Sequence, residues 1–149
     1  MSAKNILFQR AAAARQFLEL VWPEWQAQTC REFCVPLPQM ISTGTCGRSS
    51  TFLAAVMNEV GIKAQVEHGW FCKIDPAATE ADIPRHAWVT ADSWIIDITA
   101  DQFGAHPVLV TRRDDIRYRL GTDTADMAAK ARRHDVLAAL WEQWLMVDL

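Results

Sequence analysis

Gly44-Thr45-Cys46-Gly47-Arg48-Ser49-Ser50 runs straight into Thr51-Phe52-Leu53-Ala54-Ala55-Val56-Met57-Asn58-Glu59-Val60-Gly61. Phe52, Leu53, Val56, Met57 and Val60 recur at the three- and four-residue intervals of a buried helical stripe, and Gly61 is the expected C-terminal stop. The spacing predicts a helix over about 46–60 whose first residue is Cys46. At about 100° per residue, Cys46 and Leu53 nearly eclipse each other, so the sulfur faces inward at the mouth of a groove between helix and sheet. Free backbone N–H groups and the positive dipole end of a helix N-terminus stabilise negative charge, which is what a reactive thiolate requires.

Working outward, Ala3 to Trp22 reads as a helix on the spacing of Ile6, Leu7, Ala11, Ala14, Phe17, Leu18 and Val21. Pro23 interrupts or restarts it, Trp25 to Phe33 gives a second short helical piece, and Pro36 and Pro38 end that region. Downstream, Ile62 to Ile74 alternates as a half-buried strand, and Asp75 to Pro84 is a polar connection. His86 to Thr90 and Trp94 to Thr99 read as two strands joined by the turn Ala91-Asp92-Ser93, a β-hairpin whose residues face each other across the ladder. Pro107 to Thr111 is a fourth, short strand. A last helix, capped by Thr122 or Asp123, runs to about Val147 with Met127, Ala131, Val136, Leu137, Leu140, Trp141, Trp144 and Leu145 on its apolar side. The expected fold class is α+β: a nucleophile helix on an antiparallel sheet of about four strands, flanked by N- and C-terminal helices.

The bulk composition narrows the possibilities. A chain of 149 residues suits one domain over 1–149 with a core of its own, and seven tryptophans spread through every part of it favour that reading. A net charge of −3 argues against a nucleic-acid footprint. No apolar run approaches the roughly 18 to 20 residues of a membrane span. The N-terminus shows no uninterrupted apolar stretch after its charges, so the expected location is the cytoplasm, or export by a route that reads no N-terminal signal. Four cysteines without a secretion signal read as reduced thiols. Cys30-x-x-x-Cys34 with His68-x-x-x-Cys72 makes a conceivable zinc set, but three-residue gaps are common by chance. Core cysteines, no metal and no cofactor are the expectation.

Chemistry concentrates in Cys46, His86 and Asp97. Cysteine nucleophiles act as thiolates, a histidine commonly generates them, and a carboxylate commonly orients the histidine. Asp97 sits within Trp94-Ile95-Ile96-Asp97-Ile98, where a charge is expensive unless something pairs with it. The hairpin brings His86 near its register. Each residue alone has a plainer role: a small core cysteine, a satisfied histidine, a turn-forming aspartate. Their order and placement argue for a joint role. Asp101 is a rival to Asp97 for orienting the imidazole. The Cys46 amide is an oxyanion donor, and Gln39 and Gln102 are candidates for a second.

Gly61-Ile62-Lys63-Ala64, His86-Ala87-Trp88-Val89 and Trp94-Ile95-Ile96-Asp97, following a helix-opening cysteine, resemble the transglutaminase-like core of the papain-like cysteine enzymes. Arg48-Ser49 after the cysteine and the Gly61-Ile62 pair are similar to the small bacterial branch that includes lasso-peptide leader peptidases. The likeness covers about residues 44–99, and the flanking helices match nothing in it. It implies a Cys-His-Asp triad with an acyl-enzyme on Cys46, and a peptide or protein substrate. Water as acceptor makes a peptidase, amidase or deamidase, while an amine makes a transglutaminase-type acyltransferase, a toxin effector among the possible forms. A non-catalytic binding module on the same fold is the alternative class, and these residues name no partner beyond a substrate.

Overall fold

The computed structural model describes residues 2–72, 79 and 83–147. In chain order these form α1 (Ala3–Glu19), α2 (Trp22–Phe33), α3 (Cys46–Glu59), β1 (Ala64–Phe71), β2 (Arg85–Ala91) and β3 (Trp94–Asp97). A 3-10 turn over Ala100–Phe103, β4 (Leu109–Arg112), β5 (Tyr118–Leu120) and α4 (Met127–Leu145) complete them. The sheet order is β4-β3-β2-β1-β5, and every pairing is antiparallel. The fold is therefore α+β with five strands, one more than expected. Among the described residues no helix is long and apolar enough to cross a membrane.

Local chemistry sets the helix ends. Ser2 caps α1 by accepting from the Asn5 amide at 3.2 Å. Pro23, with no N–H to satisfy, fits the first turn of α2, so the second helix begins at Trp22. At the far end of α3 the chain turns through Gly61 at φ +81°, a backbone region that costs other residues a Cβ clash. The last helix starts later than expected, because neither Thr122 nor Asp123 caps it. Asp126 does, accepting from Ala129 N at 2.8 Å. The Asp123 carboxylate is instead engaged by the Arg133 side chain and the Ala125 amide.

The core lies where α1 and α3 meet the sheet. Leu7, Ala11, Ala14 and Leu18 of α1 pack with Phe52, Leu53, Val56 and Met57 of α3 and with Val89, Ala91 and Ile96 of the sheet. Phe17 stacks on Phe52 at 5.3 Å, and Trp144 of α4 meets Phe52 edge-on at 5.5 Å. Burying an aromatic side chain of this kind stabilises a domain by about 3 kcal/mol or more. α4 has Trp144 as its buried residue, and the Met127 and Leu145 expected on its apolar side are exposed.

β5 was not expected because three residues are too few to show a periodicity. Pairing makes it a strand: Gly69 opposes Leu120 and Phe71 opposes Tyr118. Gly69 is required there, since a Cβ at that position would collide with the Arg119 carbonyl. β1 ends at Phe71 and β3 at Asp97, both short of the expected limits. Most of the polar connection expected over 75–84 lies outside the described residues.

Candidate active site

Cys46 is the first residue of α3, so its own N–H and those of the next residues find no acceptor within the helix. The loop before it is held from behind. Gln26 Nε2 lies 2.9 Å from the carbonyls of Met40 and Ile41 and 3.1 Å from that of Thr43. Ser42 Oγ donates to Asp101 Oδ1 at 2.6 Å, and the buried Arg15 grips the other oxygen of Asp101 at 2.8 Å. Thr45 Oγ1 donates to the Ser42 carbonyl, while Trp22 Nε1 donates to Ser49 Oγ, which in turn donates to Thr45. These bonds fix where α3 begins, and with it the position of the sulfur.

His86 and Asp97 reach the site from β2 and β3. The ladder pairs Ala91 with Trp94 and Val89 with Ile96, which leaves His86 and Asp97 offset along it and on the same side of the sheet. His86 Nε2 lies 2.6 Å from Asp97 Oδ2, and the two side chains are 0% and 1% exposed. The same oxygen accepts from Tyr118 Oη at 2.7 Å, and Asp97 Oδ1 accepts from Thr99 N at 2.9 Å. Phe71, Phe103, Trp88 and Tyr118 ring the imidazole, with Phe103 edge-on at 5.0 Å. Nε2 is therefore committed to Asp97. Nδ1 is buried and closes no hydrogen bond of good geometry.

The charges of these groups are interlocked. Burial alone would lower the His86 pKa, but the charge and hydrogen bond of Asp97 and the neighbouring Cys46 push it up to about 10. Burial alone would raise the Cys46 thiol, yet the hydrogen bonding and charge of His86, with the Ala87 backbone N–H, bring it below its ordinary value. Asp97 is lowered as well: His86, Thr99 and Tyr118 together outweigh its desolvation. The arrangement favours a thiolate–imidazolium pair over a neutral thiol and imidazole.

A cleft of about 230 Å³ opens over Cys46 and His86, lined also by His68, Arg85, Asp123 and Arg133. Arg133 donates to Asp123 at 2.7 Å, and Asp123 lies 3.5 Å from His68 Nε2. Gly47 lets this group approach Cys46, because a Cβ there would sit 2.8 Å from Arg133 Nε.

No protein-family model, curated protein or solved structure matches the chain.

Of the residues singled out by sequence, Cys46 and His86 line one cleft, and Asp97 backs His86. Asp101 does not compete for the imidazole, because Arg15 and Ser42 occupy its oxygens. Gln39 and Gln102 do not line the cleft. Gln39 is exposed on the loop, and Gln102 donates to the Thr99 carbonyl at 3.0 Å while its Oε1 accepts from Gly44 N at 3.4 Å. The conceivable zinc set is not assembled. Among the described residues no group of three or more His, Cys, Asp or Glu side chains could hold a metal. Cys72 is a buried core thiol, whereas Cys30 is half-buried and Cys34 exposed, so the description of core cysteines fits only the first. Sequence reasoning missed Tyr118, Gln26 and the Asp123–Arg133 pair. None carries a local pattern, since each acts through a contact distant in sequence.

Proposed function

We propose that this protein is a cysteine-dependent hydrolase, a peptidase or amidase with a transglutaminase-like core, acting through Cys46, His86 and Asp97. One observation carries the reading. His86 is locked by Nε2 onto a buried carboxylate, while its other nitrogen is buried and unspent beside a thiol at a helix N-terminus.

The chemistry runs as acyl transfer. His86 Nδ1 takes the Cys46 proton, and Asp97 holds the ring and stabilises the imidazolium. The thiolate attacks the amide carbonyl, a C–S bond forms, and the oxyanion faces the free Cys46 amide. Gln102 accepts from the Gly44 amide through Oε1 and spends its Nε2 on the Thr99 carbonyl, so it would have to turn to serve as a second donor. Collapse breaks the C–N bond, and the amine departs with the proton from His86. Water, deprotonated by the same nitrogen, then cleaves the thioester, releases the acid and restores the thiol. The aromatic ring around His86 excludes bulk water and so strengthens these electrostatic steps.

The test is to trap the acyl-enzyme. Peptide and amide substrates are mixed with the protein, quenched in acid, and the adduct weighed and located by mass spectrometry. A thioester on Cys46, absent in Cys46→Ala, is the expected result. Turnover that survives in a folded Cys46→Ala protein would end the proposal, and a folded protein that binds peptide without acylation would make it a binding module. Adding a primary amine distinguishes hydrolysis from acyl transfer by the mass of the product.

A further inference from the structure

Two arginines flank the nucleophile and the histidine, and neither meets a carboxylate among the described residues. Arg48 stands two residues after Cys46, half-buried, with its guanidinium 4.6 Å over the Trp25 ring and the Gly44 carbonyl at 3.5 Å. Arg85 directly precedes His86, lies 4.7 Å over the Trp70 ring and donates to the Thr122 carbonyl. An indole face holds a guanidinium in place without neutralising it, so both keep charge and donors to offer. Nearby, Arg133 is neutralised by Asp123 at 2.7 Å and Arg132 faces Glu32 at 3.7 Å. Among the described residues lining the two recesses beside Cys46, three arginines, Arg48, Arg85 and Arg133, stand with one carboxylate, Asp123, in a chain whose net charge is −3.

Arg48 and Arg85 also sit in different recesses. Arg85 lines the cleft over Cys46 and His86. Arg48 lines a second groove of about 290 Å³ with Gln26, Val35, Pro38 and Gly44. Cys46 and Gly47 line the first recess while Gly44 and Arg48 line the second, so the two adjoin along the chain on either side of the cysteine. The Arg48 guanidinium is disfavoured by burial and by Arg132, and an incoming anion would relieve both costs.

We infer that the substrate is an acidic peptide segment, with carboxylates on both sides of the scissile amide, one met by Arg48 and the other by Arg85. This deepens the hydrolase reading and rests on it. Guanidinium–carboxylate pairs are directional and bidentate, and a cationic cleft draws anionic substrates to itself from solution.

The test compares two alkylating probes that differ in charge, iodoacetate and iodoacetamide, on the 149-residue chain at low ionic strength. Labelling of Cys46 is followed by peptide mass spectrometry. The rate ratio of anionic to neutral probe cancels any change in thiolate fraction. Replacing each arginine by glutamine should lower that ratio about threefold to fivefold, the effect of one unit charge within about a Debye length. Arg48→Lys and Arg85→Lys should retain most of it, and salt should abolish the difference. If Arg48→Gln disturbs folding, Arg85→Gln alone decides, because Arg85 is exposed. A ratio unchanged in Arg85→Gln overturns the inference while leaving the hydrolase reading standing. Failure of iodoacetamide to select Cys46 in the unsubstituted protein overturns both.

Discussion

Replacing Asp97 by asparagine keeps the shape of the side chain and removes the charge on which the imidazole depends. The His86 pKa lies at about 10 against an ordinary 6.5, a difference worth about 5 kcal/mol in favour of the imidazolium. With both side chains essentially inaccessible to solvent, little of that is screened. In Asp97→Asn, burial becomes the dominant influence, and the imidazole becomes harder to protonate than in water. The thiol then loses its cationic partner, and burial raises it to its ordinary 9.0 or above. At pH 6.5 such a thiol is ionised about one part in 300. Iodoacetamide alkylation of Cys46, followed from pH 5 to pH 10, should show a plateau through neutral pH in the unsubstituted protein. The variant should be slower through neutral pH and gain about tenfold per pH unit upward until its thiol ionises. Superimposable profiles would refute the claim that Asp97 sustains the ion pair.

Cys46→Ala should unmask a pH dependence of stability. In the intact site His86 keeps a proton that the unfolded chain releases above 6.5, while Cys46 lacks one that the unfolded chain keeps up to 9.0, so the two offset between those values. Without the thiol, His86 loses the Cys46 share of its raised pKa but keeps that of Asp97, so its contribution is full below 6.5 and is lost as pH rises through the remaining raised value. The urea midpoint should fall across that interval by less than the about 5 kcal/mol of the intact shift. A flat profile would contradict it. Below pH 3.8 both proteins should weaken as the depressed Asp97 finally protonates. Tyr118→Phe removes one donor from Asp97 and should cost about 1–3 kcal/mol in urea unfolding, with Cys46 alkylation slowed by no more than about tenfold. Asp101→Ala strips the buried Arg15 of a partner and frees Ser42. A loss of about 3 kcal/mol together with slower alkylation of Cys46 is expected, and undiminished alkylation would show that the loop needs no brace. Gly69→Ala should cost about 2–3 kcal/mol and speed amide exchange across Tyr118–Leu120, because the added methyl meets the Arg119 backbone.

The elements legible in the sequence were those with a strong local signature. α3 was readable because its apolar stripe and Gly61 agree on one helix, and the β2–β3 hairpin because apolar runs flank a polar turn. β5 was not, since only its ladder with β1 makes Tyr118–Leu120 a strand. The start of α4 was misplaced for a related reason. Thr122, Asp123 and Asp126 are all capping types, and the choice among them was made by Arg133 and Ala125 engaging Asp123. The orientation of Gln102 was equally unreadable, because a glutamine amide offers both a donor and an acceptor, and here it donates to the Thr99 carbonyl and accepts from the Gly44 amide.

Sequence by itself determined that a cysteine opens a helix and that a histidine and an aspartate stand on adjacent strands. Periodicity, glycine stops and the cost of a charge in an apolar strand are local properties, and they survive without a fold. Which nitrogen of His86 meets Asp97, and that Tyr118 shares the same oxygen, was decided by tertiary structure alone. So was the replacement of Asp101 as a rival by its pairing with Arg15, and the isolation of Arg48 and Arg85 from any described carboxylate. Hydrogen bonds and ion pairs over these distances in sequence depend on the packed backbone to bring the partners within about 3 Å, and no pattern along the chain encodes that proximity.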